Sequence, residues 1–251
     1  FMSYFKNKNI IITGASQGLG KLIALELSKF DPNLILTSSS AIKLKKVLKQ
    51  CKNKNKHQIY QCDLSSNSEI NEFTNFVKKK FSTIDIILHI AGGGFGINNY
   101  LPENNDYEKV FKINLFSIFE INRHLVPIMK RKKKGTIFHV GSIAANESVG
   151  SLSYNVAKSS LSSYVRTLAK HLAAYNICIT GINPGGFEYY GNAMIRLKKN
   201  NPKAYKEFIS NRLPLKRMPK AKELLPIIYL AIGKDNISLT GSMISCDFGE
   251  G

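Results

Sequence analysis

Short apolar runs alternate along this chain with longer segments in which apolar residues recur every three or four positions. Runs of the first kind are Asn9–Thr13, Asn33–Thr37, His57–Cys62, Ile84–Ile90, Thr136–Val140, Ile177–Ile182 and Met243–Cys246. Their length and β-branched content predict buried strands. Between them, the period of Leu19–Phe30, Ala41–Gln50, Asn67–Phe81, Tyr107–Arg131, Leu152–Tyr175 and Lys222–Ile232 predicts helices. Strand and helix in strict alternation give an α/β fold, a parallel sheet covered by helices on both faces. The rhythm pauses only at Gly185–Met218, where apolar residues are sparse. An insertion there, following a strand's carboxyl end, is where an open α/β sheet carries ligand-covering loops.

Length and composition fit this picture. The 251 residues suffice for one large domain, and no long Pro/Gly/Ser linker or repeat divides them. We read 1–251 as a single domain with a ligand-covering insertion at about 185–218. The apolar runs fall far short of the ~20 residues of a membrane span. Phe1 ahead of Met2 reads as an addition, and no signal-peptide core follows it. Cys51, Cys62, Cys178 and Cys246 form no CxxC pair, so they read as thiols of a reducing cytoplasm rather than as disulfides or a metal site. The formal net charge of +19 has two readings. It follows from a bias toward Lys, Asn and Ile, or it attracts an anionic substrate, an acidic carrier protein or nucleic acid. Only six of the 36 basic residues are Arg, which argues against specific nucleic-acid readout.

The first strand runs into Gly14-Ala-Ser16-Gln17-Gly18-Leu19-Gly20 and then a helix. Glycines so placed permit a tight turn, close approach to a pyrophosphate and close strand–helix packing, with the helix N-terminus facing the phosphates. Tyr154 and Lys158 stand one helical turn apart, so both emerge on one face. An adjacent ammonium favours phenolate, but reaching neutrality takes a shift of roughly 3 units, about 4 kcal/mol. A cationic nicotinamide ring would share that task. The spacing alone proves little: among 11 tyrosines and 30 lysines it is expected about once by chance, and Tyr4/Lys8 repeats it. Company separates the two pairs. Ser142 ends a strand twelve residues before Tyr154, Asn114 occupies a costly helical position, and Pro184-Gly185 follows the next strand. Tyr4 has no such company and reads as surface.

With TGASQGLG, CDL at 62–64, AGG at 91–93, Asn114, Ser142, Tyr154-x-x-x-Lys158, INPGG and the terminal LTGSMISCDFG, the chain resembles the short-chain dehydrogenase/reductase family over its whole length. The resemblance implies a doubly wound, seven-stranded, mostly parallel Rossmann sheet, a nicotinamide cofactor and an Asn–Ser–Tyr–Lys set. Tyr154 would be the general acid/base and Ser142 would orient the reacting oxygen. Lys158 would hold the ribose and lower the Tyr154 pKa, while Asn114 would anchor a relay water. Asp63 and Leu64 would flank adenine, with Ala91 and Gly92 beside the cofactor. Homodimers or homotetramers would form through Tyr107–Arg131 and Leu152–Tyr175, with Ala157, Ser159, Ser160, Ser162 and Ser163 permitting close packing.

Two departures stand out. His89-Ile90-Ala91-Gly92 replaces the family's Asn-Asn-Ala-Gly and leads into Gly93-Gly94-Phe95-Gly96. The Thr often found after Pro-Gly is replaced around Phe187–Tyr190. Thr37-Ser38-Ser39-Ser40 places no carboxylate after the second strand, and Lys43 lies a turn away, which favours NADP over NAD. Gln17, at a position often basic in NADP users, counts against it. The segment 186–217 carries Arg196, Lys198, Lys199, Lys203, Lys206, Arg212, Lys216 and Arg217 against Glu188 and Glu207. That is a solvated face or a site for an anionic substrate. The Gly-rich loop and the Asp-Phe-Gly-Glu-Gly ending are similar to members acting on nucleotide sugars of surface glycans. The rival enzyme reading is a 3-oxoacyl-(acyl-carrier-protein) reductase, with Lys130–Lys134 docking the carrier. The rival class is a non-catalytic dinucleotide sensor.

Overall fold

The computed structural model describes residues 2–97, 99–189 and 192–251; Phe1 and Tyr190, singled out above, lie outside these. Seven strands form one parallel sheet: β1 (Asn9–Thr13), β2 (Asn33–Ser38), β3 (Gln58–Gln61), β4 (Ile86–His89), β5 (Gly135–Val140), β6 (Ile177–Pro184) and β7 (Met243–Cys246). Their order is β3-β2-β1-β4-β5-β6-β7. The chain therefore winds outward from β1 to β3, then crosses to β4 on the other side of β1.

The apolar runs are continuous because both faces of these strands are buried. Ile10 and Ile12 point to one face with Leu34, Leu36, Ile86 and Leu88. Ile11 points to the other with Ile35 and Ile87. The first face is covered by α1 (Gly18–Ser28), α2 (Ala41–Gln50) and α9 (Leu225–Ile232). The second is covered by α3 (Asn67–Lys80), α5 (Ser117–Lys132) and α6 (Leu152–Leu172). Among the described residues no helix is long and apolar enough to cross a membrane.

Two expectations change. The segment expected to be one helix from Tyr107 is α4 (Asn104–Phe111), a π turn at Lys112–Phe116, and α5. The insertion is not irregular, for it folds into α7 (Ala193–Asn200) and α8 (Pro202–Arg212). Side-chain caps start both: Asn192 accepts the N–H of Ile195, and Asn201, just before Pro202, accepts that of Ala204. Those signals were present in the sequence, but short amphipathic helices with few apolar residues give little periodicity. Two smaller corrections concern side chains. Tyr4 is half-buried against the apolar cluster under α1 and α9, with Lys8 over its ring. Ala157 and Ser162 of α6 face the chain's own core, so they cannot line an oligomer interface.

At the amino edge of the sheet Asp85 gathers three donors. Lys132 Nζ lies at 2.7 Å, Lys8 Nζ at 3.1 Å and the Asn9 N–H at 3.0 Å. Burial pushes the carboxyl up, but the two ammonium groups and the N–H outweigh it and hold it below the usual range. Asp85→Asn is expected to cost about 2 kcal/mol in chemical unfolding at neutral pH, since two partly buried lysines lose their counter-charge. The folded pKa is depressed, so the advantage over the variant is full above the unfolded Asp value. It should shrink as pH falls through the folded one.

Candidate active site

Where the winding reverses, the carboxyl ends of β1 and β4 separate into a crevice, the place an open α/β sheet offers to a ligand. Thr13 Oγ1 accepts the N–H groups of Ile90 and Ala91 at 3.1 and 3.3 Å, which fixes how far the two ends part. A cleft of about 510 Å³ opens above them. All the sequence-predicted site residues line it except Gly18 and Asn114, which lie directly behind its wall.

Each glycine of the turn has its own reason. Gly14 has φ +65°, and a Cβ there would come within 2.9 Å of the Ala91 backbone. Gly18 has φ +63°, and a Cβ would run into the Tyr189 ring. A Cβ on Gly20 would meet the Gly14 carbonyl, so α1 could not begin this close to β1. The turn thus presents bare backbone and the N-terminus of α1 to the cleft.

The opposite wall carries the polar side chains. Tyr154 and Lys158 emerge from the first turns of α6, and Ser142 follows β5. Lys158 is 3% exposed, and its Nζ donates to the Val140 carbonyl at 2.8 Å. Burial lowers its pKa to about 8. The Tyr154 phenol is raised by burial, and the Ser142 hydroxyl pulls it the other way without cancelling the effect. The expected lowering of Tyr154 by Lys158 is therefore not supplied by these side chains, and Lys158 Nζ stands 5.5 Å from the centre of the ring. The Tyr4/Lys8 pair lies at the far edge of the sheet, beside Asp85.

Asn114 sits in the π turn and is fully buried. Its Nδ2 donates to the Gly93 and Val110 carbonyls at 2.9 and 2.8 Å, and its Oδ1 accepts the Gly93 N–H at 3.1 Å. Gly92 lies between Asn114 and Lys158: a Cβ there would stand 2.7 Å from Asn114 Oδ1 and 3.3 Å from Lys158 Nζ. Asn183, in INPGG, is a residue the sequence reading did not single out. It is buried on β6, and its Oδ1 accepts the Ser142 N–H at 3.1 Å. An Asn inside an otherwise apolar strand is a signal of the same kind as Asn114.

Both departures have structural counterparts. His89 stacks on His139 of β5 with ring centres 5.1 Å apart, and its Nε2 meets Asn122 Oδ1 at 2.9 Å. Burial keeps both imidazoles neutral, lowering His89 to about 4 and His139 well below the ordinary value. The Gly93–Gly96 loop passes beside Tyr154, where a Cβ on Gly94 would make only ordinary contact at 3.8 Å. In place of the Thr after Pro-Gly, Phe187 and Tyr189 line the cleft. Asp63 Oδ1 accepts from the backbone and hydroxyl of Ser65, so that carboxylate oxygen shapes its own loop, while Leu64 lies buried in the wall.

A family model described as short chain dehydrogenase matches residues 8–200. The chain belongs to the short-chain dehydrogenase/reductase family. As a member it is an oxidoreductase acting on CH–OH or C=O groups with a nicotinamide dinucleotide. It is 30% identical over 248 residues to 3-oxoacyl-(acyl-carrier-protein) reductase FabG of Buchnera aphidicola subsp. Baizongia pistaciae, covering 96% of both chains. It is 28% identical to a diacetyl reductase of Staphylococcus epidermidis, covering 97% of this chain and 98% of that one. Its fold matches L-sorbose reductase of Gluconobacter frateurii in complex with NADPH and L-sorbose. The TM-score is 0.90 at 23% identity, over 100% of this chain and 98% of that one.

Burial of Lys158 has a cost that depends on pH. Its folded pKa of about 8 lies below the ordinary 10.5, so the unfolded chain holds the extra proton between these values. Thermal unfolding of wild type and Lys158→Met across that range is expected to move steadily in favour of wild type as pH rises. A flat difference would contradict the burial argument.

Proposed function

We propose that the chain transfers hydride between a nicotinamide dinucleotide, preferentially NADP(H), and a ketone or secondary alcohol, with Tyr154 handling the proton. The observation that carries this reading is the convergence of Ser142, Tyr154 and Lys158 on one wall of a cleft whose other wall is the Gly14–Gly20 turn. The turn fits a dinucleotide: without Cβ atoms Gly14 packs against Ala91 and Gly20 against the Gly14 carbonyl, which brings the N-terminus of α1 to the cleft where it would face a pyrophosphate. When bound, the nicotinamide gives or takes the hydride. The Ser142 hydroxyl orients the reacting oxygen, and Tyr154 donates its proton there in reduction or removes it in oxidation. Lys158 has N–H groups left beyond its bond to Val140 that would hold the ribose, and its ammonium would favour the phenolate. Asn114 spends its amide on Gly93 and Val110 and has one lone pair of Oδ1 left for the expected relay water.

The preference for NADP rests on the end of β2. Ser38 and Ser39 line the cleft, and Lys43 Nζ meets Gln17 Oε1 at 3.1 Å beside them. This arrangement offers hydroxyls and an ammonium to a 2′-phosphate and no carboxylate to repel it. RhlG of Pseudomonas aeruginosa, solved with NADP, shares the fold at 24% identity and a TM-score of 0.88.

For the substrate, we keep an anionic molecule such as a nucleotide sugar, but the insertion lends it fewer cations than its composition suggests. Lys198 pairs with Glu188, Arg212 with Glu250 and Arg217 with Glu223. Lys216 donates to the Ser210 carbonyl. Reduction of 3-oxoacyl thioesters is the second reading, supported by the full-length likeness to the Buchnera reductase. We read the chain as one domain, assembled into homodimers or homotetramers through the segments Tyr107–Arg131 and Leu152–Tyr175, where Phe116 of the π turn and Leu152 and Val156 of α6 are exposed.

Tyr154→Phe is expected to lower turnover at least a hundredfold while leaving dinucleotide affinity within about threefold. Full turnover of that variant in an NADPH-oxidation screen of nucleotide sugars and acyl thioesters would overturn the mechanism. Lys43→Glu should weaken NADPH about tenfold or more and spare NADH. Equal loss of both would remove the case for NADP.

A further inference from the structure

The insertion between β6 and β7 is tied down by two carboxylates. Glu188 accepts from Lys198 of α7 at 3.0 Å and from the Tyr205 hydroxyl of α8. Its backbone is bonded to Pro219 and Ala221, so the start and end of the insertion run side by side. The second carboxylate, Glu250, comes from the Asp-Phe-Gly-Glu-Gly ending. Its side chain is 3% exposed. Oε2 accepts the N–H of Gly186 at 2.5 Å, and Oε1 faces Arg212 Nη2 of α8 at 3.7 Å. That second separation is an ion pair and too long for a hydrogen bond.

Gly185 is held in the same knot. A Cβ on it would stand 2.5 Å from Glu250 Oε2 and 3.0 Å from the Asp247 backbone. A carboxylate this deeply covered stays only where it has partners. Here the partners belong to the loop after β6 and to the last turn of α8. Three residues beyond Gly186, Tyr189 packs on Gly18, and its ring lies stacked with Phe187, centres 6.1 Å apart. One short segment, 185–189, therefore touches the glycine turn at one end and the tail at the other.

We propose that Glu250 is a positioning residue of the cofactor cleft: it latches segment 185–189 and α8 to the C-terminal tail. Pro184–Gly185 and Tyr189 then stand where that latch sets them. The negative charge holds α8 through Arg212, whereas the Gly186 N–H needs only an acceptor. Amide and carboxylate at 250 therefore separate the two contacts. The inference rests on the dinucleotide reading above.

The test uses Glu250→Ala, Glu250→Gln and Arg212→Met in the full chain, by hydrogen exchange without nucleotide and by titration with NADPH, NADH and adenosine 2′-phosphate. The chain has no Trp, so bound NADPH is read by fluorescence without indole background. E250A is expected to raise exchange across 185–189 about tenfold and weaken the preferred dinucleotide about tenfold. It should leave adenosine 2′-phosphate, which carries no nicotinamide, within about twofold. E250Q should keep 185–189 protected and loosen the end of α8 as R212M does. Unchanged exchange at 185–189 in E250A would overturn the latch. So would equal loss of dinucleotide and adenosine 2′-phosphate, which marks a general structural defect. Wild-type protein that binds neither dinucleotide would sink the cofactor reading instead, because the exchange measurements stand without ligand.

Discussion

Everything in the site is measured from the contact between the carboxyl ends of β1 and β4. Thr13 draws the backbone of Ile90 and Ala91 toward its hydroxyl, and Gly14 turns away so tightly that only a hydrogen fits against Ala91. That contact lets α1 begin at Gly18 with its amino end over the crevice, and it sets Gly92 where Asn114 and Lys158 can close on it. The strands themselves supply a mostly apolar frame. The polar hook at Thr13 and the missing Cβ atoms turn the sheet's edge into a cradle.

The electrostatics follow from the same burial. In this protein Lys158 is nearly dry and tied to one carbonyl, and Tyr154 is held protonated more firmly than a free phenol. The side chains thus provide placement and a dry surrounding, and under the proposed function a bound nicotinamide would provide the field. Spacing on a helix cannot convey that division of labour, since Tyr4 and Lys8 share the spacing and do none of it.

Much of this was legible in the sequence because it is written in local patterns. Strand and helix alternation follows from apolar periodicity, and the glycine turn from residues that no other side chain can replace. Asn114 stood out because an amide inside a helix is costly, and its bonds to Gly93 and Val110 supply the reason. What escaped depends on partners far apart in the chain. Asn183 under Ser142 is visible only once β5 and β6 pair, and Glu250 on Gly186 only once the tail returns. The insertion's cations looked like a binding face because their carboxylates lie outside it, at Glu223 and Glu250, or are claimed within it by Glu188. Helices α7 and α8 were missed because they bury few apolar residues and begin on Asn caps rather than on a strong period.

The π turn at Lys112–Phe116 has a consequence for how the two halves of that long helical segment relate. Upstream, Val110 and Asn114 are buried four positions apart; downstream, the inward phase restarts one position on, at Leu115, Ile118 and Ile121. One additional residue has been absorbed without breaking the rod. The rod therefore carries two phases, one aiming an amide at the crevice and the other laying aliphatic side chains on the sheet. Each end can be fitted to its own neighbours because the joint between them has already spent the mismatch.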